Sequence, residues 1–217
     1  STDYVVAPET FINDNLWLDG INKNGSIQRI YRFIEKYPGV KFIVGATTYK
    51  AYDNKEEASP TARPFRGDHY YDSFNTALQL DSTRIPQIYH KSQLVVGVEK
   101  MPYTQYLGFL EDLMLHLGGT FRSHGTQEDR ETLVSPQDSI KVGPVICYES
   151  IFGEYVTKYI SEAEADFIFV ITNDGWWGDT PGYIQHNSYS VLRAIETRRS
   201  IARSANTGIS TFINQRG

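Results

Sequence analysis

Short apolar runs alternate along this chain with segments whose apolar positions recur at helical spacing. Tyr4 to Ala7 reads as a strand stopped by Pro8, which has no N–H to give a ladder and so leaves Glu9 at a strand end. Ser26 to Lys36 carries Ile27, Ile30, Tyr31 and Ile34 on one helical face, with Asn24 or Ser26 as cap and Pro38-Gly39 as stop. Val40 to Ala46 is a buried strand, Tyr71 to Leu80 alternates as another, and Ile85 to His90 returns beside it after the turn Asp81 to Arg84. The polar stretch Tyr49 to Arg66, with Pro60 and Pro64 and no period, is expected to be a long surface excursion. Tyr103 to Leu117 has helical spacing but few polar positions, which suits either a helix buried on two sides or an apolar surface that meets lipid. Ser139 to Ile146 predicts a strand and Glu149 to Ala165 a helix; Asp166 to Ile171 is a continuous apolar strand and Ile184 to Arg199 a further helix. Ile201 to Ala205 and Ile209 to Ile213 follow as strands across Asn206-Thr207-Gly208. Strand and helix alternate in the manner of an α/β fold, a largely parallel sheet covered by helices.

With 217 residues, 40% hydrophobic and 13% aromatic, the chain can bury one substantial core, and residues 1–217 are read as one domain. A net charge of -5 without any basic run excludes a general nucleic-acid binder. No run of about 18 apolar residues is present. A strand close to the first residue, and another running into Gln215-Arg216-Gly217, lead us to expect a domain cut from a longer polypeptide at both ends.

The one cysteine, Cys147, closes the apolar run Val142-Gly143-Pro144-Val145-Ile146. A thiol on a strand-to-helix turn is rigidly held yet reachable, and neighbouring helix-terminal N–H groups favour its thiolate. Packing as a small buried hydrophobe is the ordinary alternative. Glu9 and Lys91 also follow strands, and strand ends in such folds converge on one rim. Together they supply a base, a cation and a nucleophile. Moving a proton from a thiol near 8.5 to a carboxylate near 4.3 is uphill by roughly 6 kcal/mol. Burial must therefore raise the acid and the ammonium must favour the thiolate. Lys91 and the backbone N–H after Cys147 could then hold the oxyanion of a tetrahedral intermediate. Trp176 and Trp177, set among glycines in Asn173 to Asp179, read as a pocket wall or lid in preference to core. The histidines at 69, 90, 116, 124 and 186 show no metal-ligand spacing, and neither a phosphate loop nor a dinucleotide fingerprint is present, so no metal and no cofactor are expected.

Glu9 after Ala7-Pro8, Lys91 in Tyr89-His90-Lys91-Ser92-Gln93-Leu94-Val95 and Cys147 in Ile146-Cys147-Tyr148-Glu149 resemble the Glu-Lys-Cys triad of the nitrilase superfamily. Gly97-Val98-Glu99-Lys100-Met101-Pro102, Cys147 to Phe152, Asn173 to Gly182, Gln185-His186 and Arg193-Ala194-Ile195-Glu196 are similar, within it, to the apolipoprotein N-acyltransferase family. The resemblance implies a nitrilase-like four-layer αββα sandwich, carried on flanking membrane helices absent from this chain and facing the periplasm from the bacterial inner membrane. It further implies acyl transfer from a phospholipid donor, through a Cys147 thioester, to the α-amino group of an apolipoprotein diacylglyceryl-cysteine. Glu9 would be general base and acid, and Lys91 the oxyanion partner. Glu99 would orient Lys91; Tyr148 and Glu149 would shape the pocket, with Asn173, Trp176 and Trp177 in support. A soluble amidase that hydrolyses a small amide C–N bond with the same triad is the alternative.

Overall fold

The computed structural model describes residues 2–95 and 124–217. The strands are β1 (Tyr4–Val6), β2 (Ile12–Trp17), β3 (Lys41–Tyr52), β4 (Arg63–Pro64), β5 (Tyr70–Leu80), β6 (Gln87–His90), β7 (Leu133–Val134), β8 (Lys141–Ile146), β9 (Phe167–Thr172), β10 (Ile201–Ala205) and β11 (Thr211–Ile213). The helices are α1 (Gly25–Lys36), α2 (Gly153–Ser161) and α3 (Gly182–Thr197). The greasy segment Tyr103 to Leu117 lies outside the described residues, as does Glu99.

The strands form two sheets. In the first, β1, β3, β5 and β4 are neighbours in that order, β2 also pairs with β3, and β6 pairs with β5; the second runs β11-β10-β9-β8-β7. Side-chain alternation decides what each face meets. In β9, Ile168 and Val170 join the cluster under α2 and α3, while Phe169 and Ile171 join the one between the sheets. Val145 and Ile146 of β8 divide in the same way. On the first sheet, Val44, Ala46, Leu78 and Leu80 pack against Ile27, Tyr31 and Ile34 of α1, and Ile43 and Ala77 face the second sheet. The result is helix, sheet, sheet, helices: the four-layer sandwich.

Local chemistry explains the boundaries. Asn24 caps α1 by accepting from the N–H groups of Ser26 at 2.8 Å and Ile27 at 3.3 Å, a contribution of about 1 kcal/mol. Each apolar side chain that α1 fully buries adds roughly 1.5–3 kcal/mol. Two expectations need correction. Residues 49–66 do not all leave the sheet: β3 continues to Tyr52, paired residue for residue with β5, and Ser59 and Thr61 hydroxyls tie the turn back to buried Asp72. Polar strand residues concealed that hairpin. The helix expected from Glu149 begins later, because Cys147–Ile151 is a 3-10 turn and Phe152 is extended before α2 starts at Gly153.

Glu9 lies in the turn just beyond β1, as expected, but the chain then resumes its path as β2. β1 and β2 both run parallel to β3, from Tyr4 opposite Lys41 to Ile12 opposite Ala46, and residues between them bulge out of one interrupted strand. Thr10 takes the left-handed conformation at φ 54. Gly45 lies directly beneath: a Cβ there would stand 2.6 Å from Glu9 Cα and from the Pro8 carbonyl oxygen, so only glycine lets the bulge seat. Gly45→Ala is expected to lower stability by about 1–3 kcal/mol in urea denaturation and to displace Glu9, with activity lost beyond what the stability change explains.

Candidate active site

Three chain segments bring Glu9, Lys91 and Cys147 together. Lys91 follows β6 by one residue, its N–H donating to the Asn75 carbonyl at 2.8 Å. Its Nζ stands 3.6 Å from Glu9 Oε1, with both side chains nearly sealed from solvent. Asn75 Nδ2 donates to the same Glu9 oxygen at 2.7 Å, and the Asn173 N–H donates to Glu9 Oε2 at 2.9 Å. Asn173 and Thr172 also act electrostatically on Cys147, each favouring its thiolate. Cys147 is half-buried directly after β8 and adopts φ 50, an uncommon conformation for a residue with a Cβ.

The electrostatics depart from the expected thiolate. Burial, together with the negative charge of Glu9, pushes the Cys147 thiol up to about 12, and Lys91, Thr172 and the Asn173 N–H only partly offset this. The proton therefore stays on sulfur in the unliganded protein. The helix that follows Cys147, α2, begins only at Gly153, so its first turn does not start at the thiol.

Glu149 is wholly buried and lines no opening. Its Oε1 accepts from Tyr89 Oη at 2.8 Å, the Ser92 N–H at 2.7 Å and the Gln93 N–H at 3.2 Å, and its Oε2 accepts from the Ile146 N–H at 2.8 Å. Burial raises its pKa, against those donors and the field of Lys91. One carboxylate therefore fastens the Lys91 turn to the residue before the nucleophile. Tyr148 is half-buried and meets Phe152 edge-on. Asn173 contributes its backbone to the site, while its side chain accepts from the Gly175 N–H at 3.1 Å. Trp176 and Trp177 are 64% and 41% exposed, which removes the core-packing alternative. Asn75, Thr172 and a buried set around His186 were not anticipated; Gln185-His186 stood out only through resemblance.

The family model described as Carbon-nitrogen hydrolase matches residues 53–217. The chain is 36% identical over 145 residues to the apolipoprotein N-acyltransferase of Chlorobaculum tepidum, an alignment covering 65% of this chain and 27% of that protein. It is 38% identical over 128 residues to the enzyme of that name from Rhizobium rhizogenes, covering 58% and 23%. The chain thus spans about a quarter of the length of these curated relatives. Among solved structures, Saccharomyces cerevisiae Nit3 superposes with a TM-score of 0.61 at 15% identity, covering 100% of this chain and 70% of that one. XC1258 of Xanthomonas campestris, a CN-hydrolase superfamily protein, superposes with a TM-score of 0.60 at 16% identity, covering 99% and 71%. At such identities these two share the fold.

Two outcomes follow from the geometry. A thiol ionising near 12 rather than 9 holds about 1000-fold less thiolate at pH 8, partly offset by its greater nucleophilicity. Iodoacetamide should therefore alkylate Cys147 on the order of 30-fold more slowly than a model thiol. Glu9→Gln should move the alkylation profile to lower pH and Lys91→Met to higher pH. For stability the sign is fixed too: above about 9 the unfolded thiol loses its proton while the folded one keeps it, so this group's contribution falls as pH rises. In a second experiment, Glu149→Gln presents an amide NH2 to N–H donors and should cost about 2–4 kcal/mol by urea titration.

Proposed function

This chain belongs to the carbon–nitrogen hydrolase family, and from that premise we propose that it carries out the chemistry of an apolipoprotein N-acyltransferase: a fatty acyl chain passes from a phospholipid to Cys147, and from there to the α-amino group of an apolipoprotein. What supports the reading is the close pair of Glu9 and Lys91, whose charges both act on Cys147, in a chain whose sequence relatives bear that name.

Each step assigns a proton. Glu9 takes the thiol proton as sulfur attacks the ester carbonyl of the phospholipid. The carbonyl electron pair moves to oxygen, where the Lys91 ammonium and the Tyr148 N–H stabilise the charge. Collapse expels the lysophospholipid alkoxide, which receives the proton from Glu9, and leaves an acyl thioester. The incoming amine then attacks the thioester and gives a proton to Glu9; the second tetrahedral intermediate releases sulfur, which recovers that proton. A thiol held protonated at rest suits this order, since proton removal accompanies attack. Glu9 and Lys91 stand 3.6 Å apart with little exposure to solvent, where the field between such groups is strong.

Among the described residues no helix is long and apolar enough to cross a membrane. In this reading the remainder of a longer protein holds the domain at the bacterial inner membrane, on the periplasmic side, where donor and acceptor both reside. Residues 1–217 then act as its nitrilase-like catalytic domain, with Tyr148, Asn173, Trp176 and Trp177 flanking the substrates.

The test is intact-protein and peptide mass spectrometry after exposure to phosphatidylethanolamine vesicles. An acyl mass on Cys147, released by hydroxylamine and absent in Cys147→Ala, is expected. Acyl mass that resists hydroxylamine or sits elsewhere overturns the mechanism. Release of ammonia from small amides without lipid would instead support the amidase alternative.

A further inference from the structure

Behind the nucleophile runs a buried polar chain that the acyl-transfer steps do not use. Asp174, just beyond β9, accepts from Arg203 Nη2 at 2.9 Å, from the Thr172 hydroxyl at 3.1 Å and from His186 Nδ1 at 2.8 Å. Burial would raise its pKa, but His186 and Arg203 outweigh burial and hold the carboxyl below the usual range. With Asp174 accepting at Nδ1, that nitrogen carries the ring proton and Nε2 is an acceptor. Ser150 Oγ stands 3.1 Å from Nε2 and 2.8 Å from the carbonyl oxygen of Cys147, so its one hydroxyl proton lies between the two and joins the imidazole to the backbone. All four side chains are at most 3% exposed, so substrate cannot reach them and Ser150 is no second nucleophile.

What the chain grips is the backbone of Cys147, at φ 50. A peptide unit is planar and trans, so fixing the Cys147 carbonyl fixes the Tyr148 N–H on the opposite side of the same plane. We propose that Asp174, His186 and Ser150, anchored by Arg203, form a brace that aims the Tyr148 N–H at the oxyanion, with His186 and Ser150 as positioning residues. The brace draws on four segments: α3 carries His186, β10 carries Arg203, the turn after β8 carries Ser150, and the turn after β9 carries Asp174. Loosening it lets the strained peptide rotate and turns the donor away while leaving the sulfur in place. This inference rests on the reading of Cys147 as a nucleophile.

Two probes separate the brace from general structural support. Hexanal forms a hemithioacetal: the sulfur–carbon bond forms, the carbonyl pair moves to oxygen, and the thiol proton ends on that oxygen, which occupies the oxyanion position. Iodoacetamide reacts by displacement of iodide and develops no oxyanion. For His186→Ala and Ser150→Ala, hexanal affinity is expected to fall by about 10- to 100-fold, in the range of a lost oxyanion donor, while the iodoacetamide rate stays within about threefold of the unsubstituted protein. His186→Gln, whose amide oxygen can accept from the Ser150 hydroxyl as Nε2 does, should recover part of the loss. Should His186→Ala fail to fold, Ser150→Ala against Ser150→Thr, which keeps the hydroxyl, gives the same comparison. Parallel loss with both probes, or unchanged hexanal affinity, overturns the brace. Absence of any adduct in the unsubstituted protein would instead remove the nucleophile reading beneath it.

Discussion

The site depends on one carboxylate that no solvent reaches. Glu149 stands on the turn that follows β8 of the second sheet, yet three of its donors belong to the Tyr89–Gln93 segment that leaves β6 of the first. Packing between two sheets is non-directional and resists separation better than sliding. Hydrogen bonds to a buried charge are directional, and leaving them unmade is costly. Glu149 thus converts an apolar interface into a fixed registration, and Lys91, between two residues that this carboxylate holds, inherits it. On the other side of the thiol, the Asn173 N–H, just beyond β9 of the second sheet, donates to Glu9 of the first. The reacting groups ride on different sheets, held by ties of this kind rather than by proximity along the chain.

Apolar periodicity carried most of the architecture. β9, a run of Phe167-Ile168-Phe169-Val170-Ile171, can satisfy both of its faces only between helices and a second sheet, and that is where it lies. α1 was legible to its cap, because Asn24 and the Ile27, Tyr31, Ile34 face are local signals. β2 was not. Ile12 and Leu16 are its buried anchors, with Asn13, Asp14 and Asn15 exposed between them, so no period of two survives. The outer half of β3 escaped for a related reason: Thr47 to Tyr52 is polar or aromatic and pairs with an equally polar stretch of β5.

At the site, residue types were legible and their electrostatics were not. Glu9, Lys91 and Cys147 could be picked out because each follows a strand-like run. The bulge that lifts Glu9 is encoded partly by Gly45, far along the chain, and only the pairing of β1 and β2 with one strand reveals it. The expected thiolate failed because burial and the charge of Glu9 outweigh the ammonium. Asn75, Thr172 and the His186 set are ordinary polar residues, on a predicted strand, just past one, or on a predicted helix or loop. Their partners come from the other elements, a relation that no single-segment pattern can carry.

The protonated state of Cys147 has a chemical consequence of its own. Thiolates react with peroxides and disulfides far faster than thiols do, and soft metal ions bind the deprotonated sulfur. A sulfur that keeps its hydrogen until a substrate arrives therefore forms sulfenic acid, or binds copper or zinc, more slowly than a resting thiolate would. The burial that makes this sulfur slow in the resting protein also preserves it between turnovers.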